Sequence, residues 1–309
     1  LRSAVRAFLH GQSEVAAAVK VNTAAVKENS EVLLAQNELL KQIRADLDHS
    51  RGAQEAVRYA LTTPLLNEVQ EWLASRQEDQ FETLRRARER RIGVARFGDG
   101  EFRLLLRPEW DSKFQRNSPA LRVGLQRTLQ YGAERPDRLI VAVPPPSRDR
   151  YWTNFYTSFW AQLQPAIEPL QTVGDSFVTR PNFFRRYRRT AVDAWRELWD
   201  GCTVTIVTGE GSRFELSPGL FDNIATSRFV HSKPTHAFDD LDRVLEVLEG
   251  DGSDLVLIAL GPAGTILAAE LAKRGRWALD VGHVSNSYES ALNGGIWPED
   301  MPLVRSDGP

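Results

Sequence analysis

Four short apolar runs constrain this chain most: "IGVARF" (92–97), "RLIVAVP" (138–144), "TVTIVTG" (203–209) and "DLVLIALG" (254–261). Continuous apolar runs, unlike alternating ones, fit strands that are covered on both faces. Helical stretches lie between them, among them "FDDLDRVLEVLEG" (238–250) and "PAGTILAAELAKRG" (262–275). Strand, helix, strand in this order predicts an α/β fold with a mostly parallel sheet and right-handed crossovers. Ligands of such sheets gather beyond the strand C-termini.

The turns that follow the runs are small or polar: "GDGE" (98–101), "PPPSRDR" (144–150), "TGEGSR" (208–213) and "GPAGT" (261–265). Parallel strands would collect all of them on one edge. "GPAGT" leads directly into a helix, and a helix N-terminus favours phosphate through its free N–H groups and its dipole. It lacks both the Walker lysine and a full GxGxxG, so a plain tight connection remains open. "GDGE" places Asp99 and Glu101 around a glycine. An isolated Asp-Gly is ordinary turn chemistry, but two carboxylates at the same edge as phosphate turns need a cation. Hard oxygen donors suit Mg²⁺ or Mn²⁺, which usually complete their shells with water and substrate phosphate. Near the C-terminus "WALDVGH" (277–283) reads as a further strand that ends at Asp280 and His283. His283 is either a third metal ligand or a hydrogen-bonded structural residue.

Residues 1–50 carry a different period. Val19, Val26, Leu33, Leu40 and Leu47 recur every seven residues, and Val15, Asn22, Asn29, Gln36 and Ile43 occupy the companion positions. This is a heptad seam with polar residues that fix register and oligomer number. "VNTAAVKEN" (21–29) resembles the asparagine-at-d stretches of parallel trimeric coiled coils, so a homo-oligomer is expected, with three chains favoured over two. The alternative is a lone amphipathic helix folded back on its own domain. Gly52 and "TTP" (62–64) are expected to end this helix, with Thr63 capping the next. The expected division is a coiled coil over 1–50, a linker over 51–63 and an α/β domain over 64–309.

Composition sets the limits. The charge of -2 offers no general attraction for nucleic acid or anionic membrane. Cys202 is the sole cysteine, which removes internal disulfides and structural zinc and fits a reducing compartment. No run approaches a membrane span, so the expected location is cytoplasmic, with association to the inner face of the membrane left open. With Leu1 first and Met301 the sole methionine, the sequence reads as a piece of a longer chain. The basic and aromatic "RPNFFRRYRRTAVDAWRELW" (180–199) is expected as a helix with solvated arginines and inward rings, rather than as a nucleic-acid surface.

Five blocks in order and spacing resemble the GT-D type glycosyltransferases: "VARFGDGEF" (94–102), "GDSFVTRPNF" (174–183), "TVTIVTGEGSRF…GLFDNI" (203–224), "AFDDLDRVLEVL" (237–248) and "LVLIALGPAGTILAAELAKRGRWALDVGH" (255–283). The resemblance covers about residues 65–290 and leaves out the heptad segment. It implies a Rossmann-like domain that moves a hexose, glucose first, from a UDP-sugar. The D-x-E metal motif falls on Asp99 and Glu101. Arg96, Phe97, Gly98, Gly209, Arg213, Gly261 and Thr265 then look like donor-site residues. Asp175 is the first candidate base on an acceptor hydroxyl and Glu210 the second, the alternative for Asp175 being a cap or a pair with Arg180. Two departures bear on the donor: His236 stands where many members carry asparagine, and "GPAGT" replaces the commoner "GPTAT". A glycan, glycoprotein or lipid-linked acceptor is implied. The rival readings are a scaffold whose α/β domain has lost catalysis, and a metal-dependent phosphohydrolase.

Overall fold

A computed structural model of the chain describes residues 2–146, 149–298 and 300–301, with side chains from residue 11 onward. The chain divides into two compact units, Leu1–Pro64 and Leu65–Pro309. The described part of the first unit is all helix, the opening of α1 (Arg2–Ala74). The expected break over 51–63 and the cap at Thr63 do not occur, because α1 continues through Gly52 and Pro64. The hydroxyls of Thr62 and Thr63 donate back to the carbonyls of Arg58 and Tyr59 instead of capping a new helix. Pro64 removes one backbone bond and Gly52 costs about 1 kcal/mol of helix propensity, penalties that long flanking stretches of good helix formers outweigh.

In the second unit the end of α1 is followed by α2 (Gln80–Glu89), β1 (Gly93–Arg96), α3 (Asp99–Leu106), α4 (Pro119–Glu134) and β2 (Leu139–Val143). Next come α5 (Arg150–Ile167), β3 (Gly174–Asp175), α6 (Pro181–Tyr187), α7 (Arg189–Trp199) and β4 (Thr203–Gly209). The chain continues through α8 (Pro218–Phe221), β5 (Thr226–Ser232), α9 (Leu241–Glu249), β6 (Leu255–Ala259), α10 (Pro262–Lys273), β7 (Ala278–Asp280) and α11 (Val284–Leu292).

Among the described residues seven strands form one sheet in the order β3-β2-β1-β7-β6-β4-β5. Every pairing is parallel. The strand pleat explains the continuous apolar runs. Val141 and Val143 of β2 meet α4, α5 and α10 on one face, through Leu125, Leu129, Phe155 and Leu267. Ile140 and Ala142 turn to the other face, where Leu84 of α2, Trp195 and Trp199 of α7 and Val284 of α11 pack. Both faces are therefore apolar and neither can be read as solvated.

The direction of winding reverses between two neighbours. From β4 the chain leads outward to β5, whereas from β6 it leads the opposite way to β7. The crevice beyond the C-termini of β4 and β6 is thus a topological switch point, where open α/β sheets bind their ligands.

Candidate active site

A cavity of about 690 Å³ opens at the C-terminal edge of the sheet. All seven strands send their following turn into it: Gly98 after β1, Asp149 after β2, Ser176 after β3, Glu210 after β4, Lys233 after β5, Leu260 after β6 and Gly282 after β7. Four helices also begin on its wall. α3 starts at Asp99, α5 follows its N-cap Asp149, α10 follows Gly261 and α11 follows His283. Their positive dipole ends and the cationic side chains of Arg96, Arg180, Arg213 and Lys233 make this wall attractive to an anion.

Asp99 and Glu101 occupy the first turn of α3. Glu101 reaches back so that Gly98 N–H donates to its Oε2 at 2.8 Å, the glutamate half of a capping box, which fixes the carboxyl at the cavity wall. Although part of this residue reaches the cavity, desolvation pushes the carboxyl up to about 7, with Arg96 opposing the shift and Asp280 reinforcing it. Asp99 accepts a hydrogen bond from the Tyr151 hydroxyl, and Arg103 Nε stands 3.6 Å from its Oδ2.

Arg96 lies at the centre of this group. Its Nε is buried without a hydrogen-bond partner. Its guanidinium rests against Gly282, where a Cβ would overlap Nη2, and Gly282 has φ +47°. Only glycine meets both demands. Asp280, buried at the end of β7, accepts from Thr265 Oγ1 at 3.0 Å and from Gly282 N–H at 3.1 Å. Its carboxyl is raised by burial and lowered by Arg96. His283 is pushed down to about 3, by burial first and then by Arg96, Arg213 and Arg180. At neutral pH it is an uncharged imidazole among cations.

Gly98, Gly209, Arg213, Gly261, Glu210 and His283 line the cavity together with Arg96, Asp99 and Glu101. Arg213 Nη1 donates to the Met301 carbonyl at 2.9 Å. Three expected site residues fall elsewhere. Phe97 is fully buried and stacks on Phe102, since the residue after Arg96 turns into the core. Thr265 is also fully buried, and its hydroxyl ties α10 to β1 through the Arg96 carbonyl at 2.9 Å. Asp175 does not line the cavity. Its Oδ1 accepts from Phe177 N–H at 2.7 Å as a cap, and burial pushes the carboxyl up to about 7. The cap is the alternative reading given above for Asp175. Among the described residues no three His, Cys, Asp or Glu side chains come together as a metal cluster, while Asp99, Glu101 and His283 all line the one cavity.

Sequence reasoning passed over Tyr151, Arg180, Lys233, Phe114 and Gly282, all on the cavity wall. Arg180 lies within "GDSFVTRPNF" and Gly282 precedes His283, so both stood inside blocks already marked. Tyr151 follows a proline-rich turn and carried no signal of its own.

A parallel α/β sheet with a charged crevice at its switch point defines a Rossmann-like domain. More particularly, the family model for the glycosyltransferase GT-D fold matches residues 94–301, and the chain belongs to that family. Glycosyltransferase GlyD of Streptococcus pneumoniae serotype 4 is 26% identical over 220 residues, which are 67% of this chain and 26% of that protein. A probable glycosyl transferase, Gly, of Streptococcus gordonii is 25% identical over 213 residues, 65% of this chain and 31% of that protein. The chain therefore spans about a quarter to a third of the length of these curated relatives. A solved structure of domain of unknown function 1792, reported to have a distinct glycosyltransferase fold, superposes with a TM-score of 0.67 at 23% identity, covering 78% of this chain and 87% of that one. A glycosyltransferase structure from Streptococcus sanguinis gives 0.64 at 23% identity, over 71% and 85% of the two chains. At such identities the structures speak for the fold alone.

Proposed function

We propose that the α/β domain transfers a hexose, glucose first, from a UDP-sugar to a glycan, glycoprotein or lipid-linked acceptor, with Mn²⁺ or Mg²⁺ held by Asp99 and Glu101. The observation that carries this reading is the meeting, in one cavity, of that carboxylate pair with Arg96, Arg180, Arg213 and the N-terminus of α10. A nucleoside diphosphate is the ligand whose charge such a wall would balance.

The donor set fits the ion. Two carboxylates supply hard oxygens, and Mg²⁺ or Mn²⁺ draws the rest of its shell from water and phosphate rather than from a third protein ligand. The raised Glu101 carboxyl fits as well, since a dication beside it would favour the ionised form. When bound, the ion would neutralise charge on the departing diphosphate.

The remaining work falls to the protein. Arg96 and Arg213 supply fixed positive charge, and Arg96 has an unpartnered Nε to offer. Charge stabilisation by groups already in place is worth several kcal/mol of barrier, of order 2.7–4 for one donor in the well-studied cases. Glu210, exposed on the cavity wall, is the group placed to take an acceptor proton if the transfer inverts. Tyr151 holds the Asp99 carboxylate in position until an ion competes for it.

The test is a thermal-shift screen of nucleotide sugars with and without Mn²⁺. A matching donor should raise the melting temperature several degrees only when the cation is present. Stabilisation by no nucleotide sugar, or by all of them without the cation, would remove this reading.

A further inference from the structure

The segment between α3 and α4 contributes Ser112 and Phe114 to the cavity lining and is held by a set of side-chain hydrogen bonds. Asn117 Nδ2 donates to the carbonyls of Leu104, Arg107 and Trp110 at 2.9, 2.9 and 3.1 Å. Ser112 Oγ accepts from Gln115 N–H at 2.9 Å, and Gln115 Oε1 accepts from Phe238 N–H at 3.1 Å. These bonds give the loop a fixed path along the cavity.

His236 closes the arrangement from the turn after β5. Its backbone N–H donates to the Phe114 carbonyl at 2.7 Å, and its ring Nδ1 accepts from Arg116 N–H at 3.0 Å. It makes both bonds in a left-handed backbone, φ +57° and ψ +38°, which a residue with a Cβ takes up only at some cost. Two bonds to the residues that flank Gln115 therefore hold a strained turn, and the side chain they set in place is that of Phe114.

Phe114 is half-buried and lines the cavity. Among the described residues it makes no ring-to-ring contact. Its Cβ stands 3.9 Å from where a Cβ on Gly261 would lie, over the start of α10 and at the switch-point crevice. A half-buried aromatic ring on the cavity wall beside a helix N-terminus suits a planar group attached to a phosphate.

We infer that Phe114 is the surface on which the nucleobase of the donor stacks, and that His236 is the positioning residue that holds it there. The inference rests on the nucleotide-donor reading of the cavity. Stacking accepts any base, so Phe114 supplies affinity, while discrimination among bases is left to polar groups. An asparagine at 236 could replace the histidine, because its Oδ1 can accept the same N–H and it tolerates the left-handed region.

The experiment is calorimetric titration of the whole chain with UDP and separately with pyrophosphate, each with Mn²⁺. Wild type, F114A, F114W, H236A and H236N are compared, with melting temperatures recorded. F114A and H236A should weaken UDP binding about tenfold and leave pyrophosphate binding unchanged, while F114W and H236N keep both. F114L, which retains volume without a ring face, should behave as F114A and replaces it if F114A melts early. The inference is overturned if F114A and F114L bind UDP as tightly as wild type, if UDP and pyrophosphate weaken together, or if H236N fails as H236A does. A wild-type chain that binds pyrophosphate and not UDP, or neither, overturns the donor reading itself and the inference with it.

Discussion

At the scale of single residues, three carboxyls far apart in sequence are raised by desolvation in different surroundings. Glu101 on the cavity wall and the buried Asp280 both feel the charge of Arg96, whereas Asp175 sits beside Thr83, whose Oγ1 accepts the Asp175 N–H at 3.0 Å. Asp175 has a consequence for stability. Its carboxyl is raised from 3.8 to about 7, so the folded chain binds this proton more tightly than the unfolded one. Its contribution is most favourable below the unfolded value and declines as pH rises toward 7. Asp175→Asn keeps an oxygen for the Phe177 N–H and removes the titration. Denaturant unfolding should show the variant gaining on wild type between pH 5 and 7.5, by about 1–3 kcal/mol. A constant difference across that window would show that Asp175 does not titrate there. Residue identities in the cavity were only partly legible beforehand. Asp99 and Glu101 announced themselves because they follow a buried run. Phe97 and Thr265 were drawn in by adjacency, yet in this turn and on this helix neighbouring side chains point to opposite sides.

At the scale of elements, five of the seven strands read directly from their apolar runs. The other two lacked that signal for physical reasons. β3 is two residues long, and β5 is an edge strand exposed over most of its length, so neither needs a continuous apolar stretch. Their absence hid the strand order, and with it the switch point between β4 and β6. Packing between elements was equally invisible. α4 lies so close on β2 that a Cβ on Gly132 would overlap Val141 Cγ2. Gly132→Ala should therefore destabilise the domain by about 1–3 kcal/mol, despite the better helix propensity of alanine. Val141→Ala opens space at the same contact, so the double variant should lose less than the sum of the singles in denaturant unfolding. Strict additivity would mean that the two elements part easily. The Gly52 and Pro64 breaks failed for the converse reason: local propensity was set against a helix of 73 residues, and the helix prevailed.

At the scale of the whole molecule, the first unit offers an apolar seam that the single chain leaves uncovered. Val19, Val26, Leu33, Leu40 and Leu47 are each more than half exposed. We propose that further copies of this chain cover them, three in all, with Asn22 and Asn29 setting the register. Light scattering should report a trimer for the whole chain and a monomer once residues 1–50 are removed; a monomer in both would refute the seam. No described helix is long and apolar enough to cross a membrane. The second unit carries the family's fold and the cavity, where we propose that Asp99 and Glu101 couple a divalent ion to a bound diphosphate. The most direct measurement is UDP affinity with and without Mn²⁺ in wild type and in Asp99→Asn. The account predicts that Mn²⁺ tightens UDP binding about tenfold or more in wild type, that Asp99→Asn abolishes this gain, and that the melting temperature of the ligand-free variant stays near that of wild type. Undiminished Mn²⁺ dependence in Asp99→Asn would contradict it.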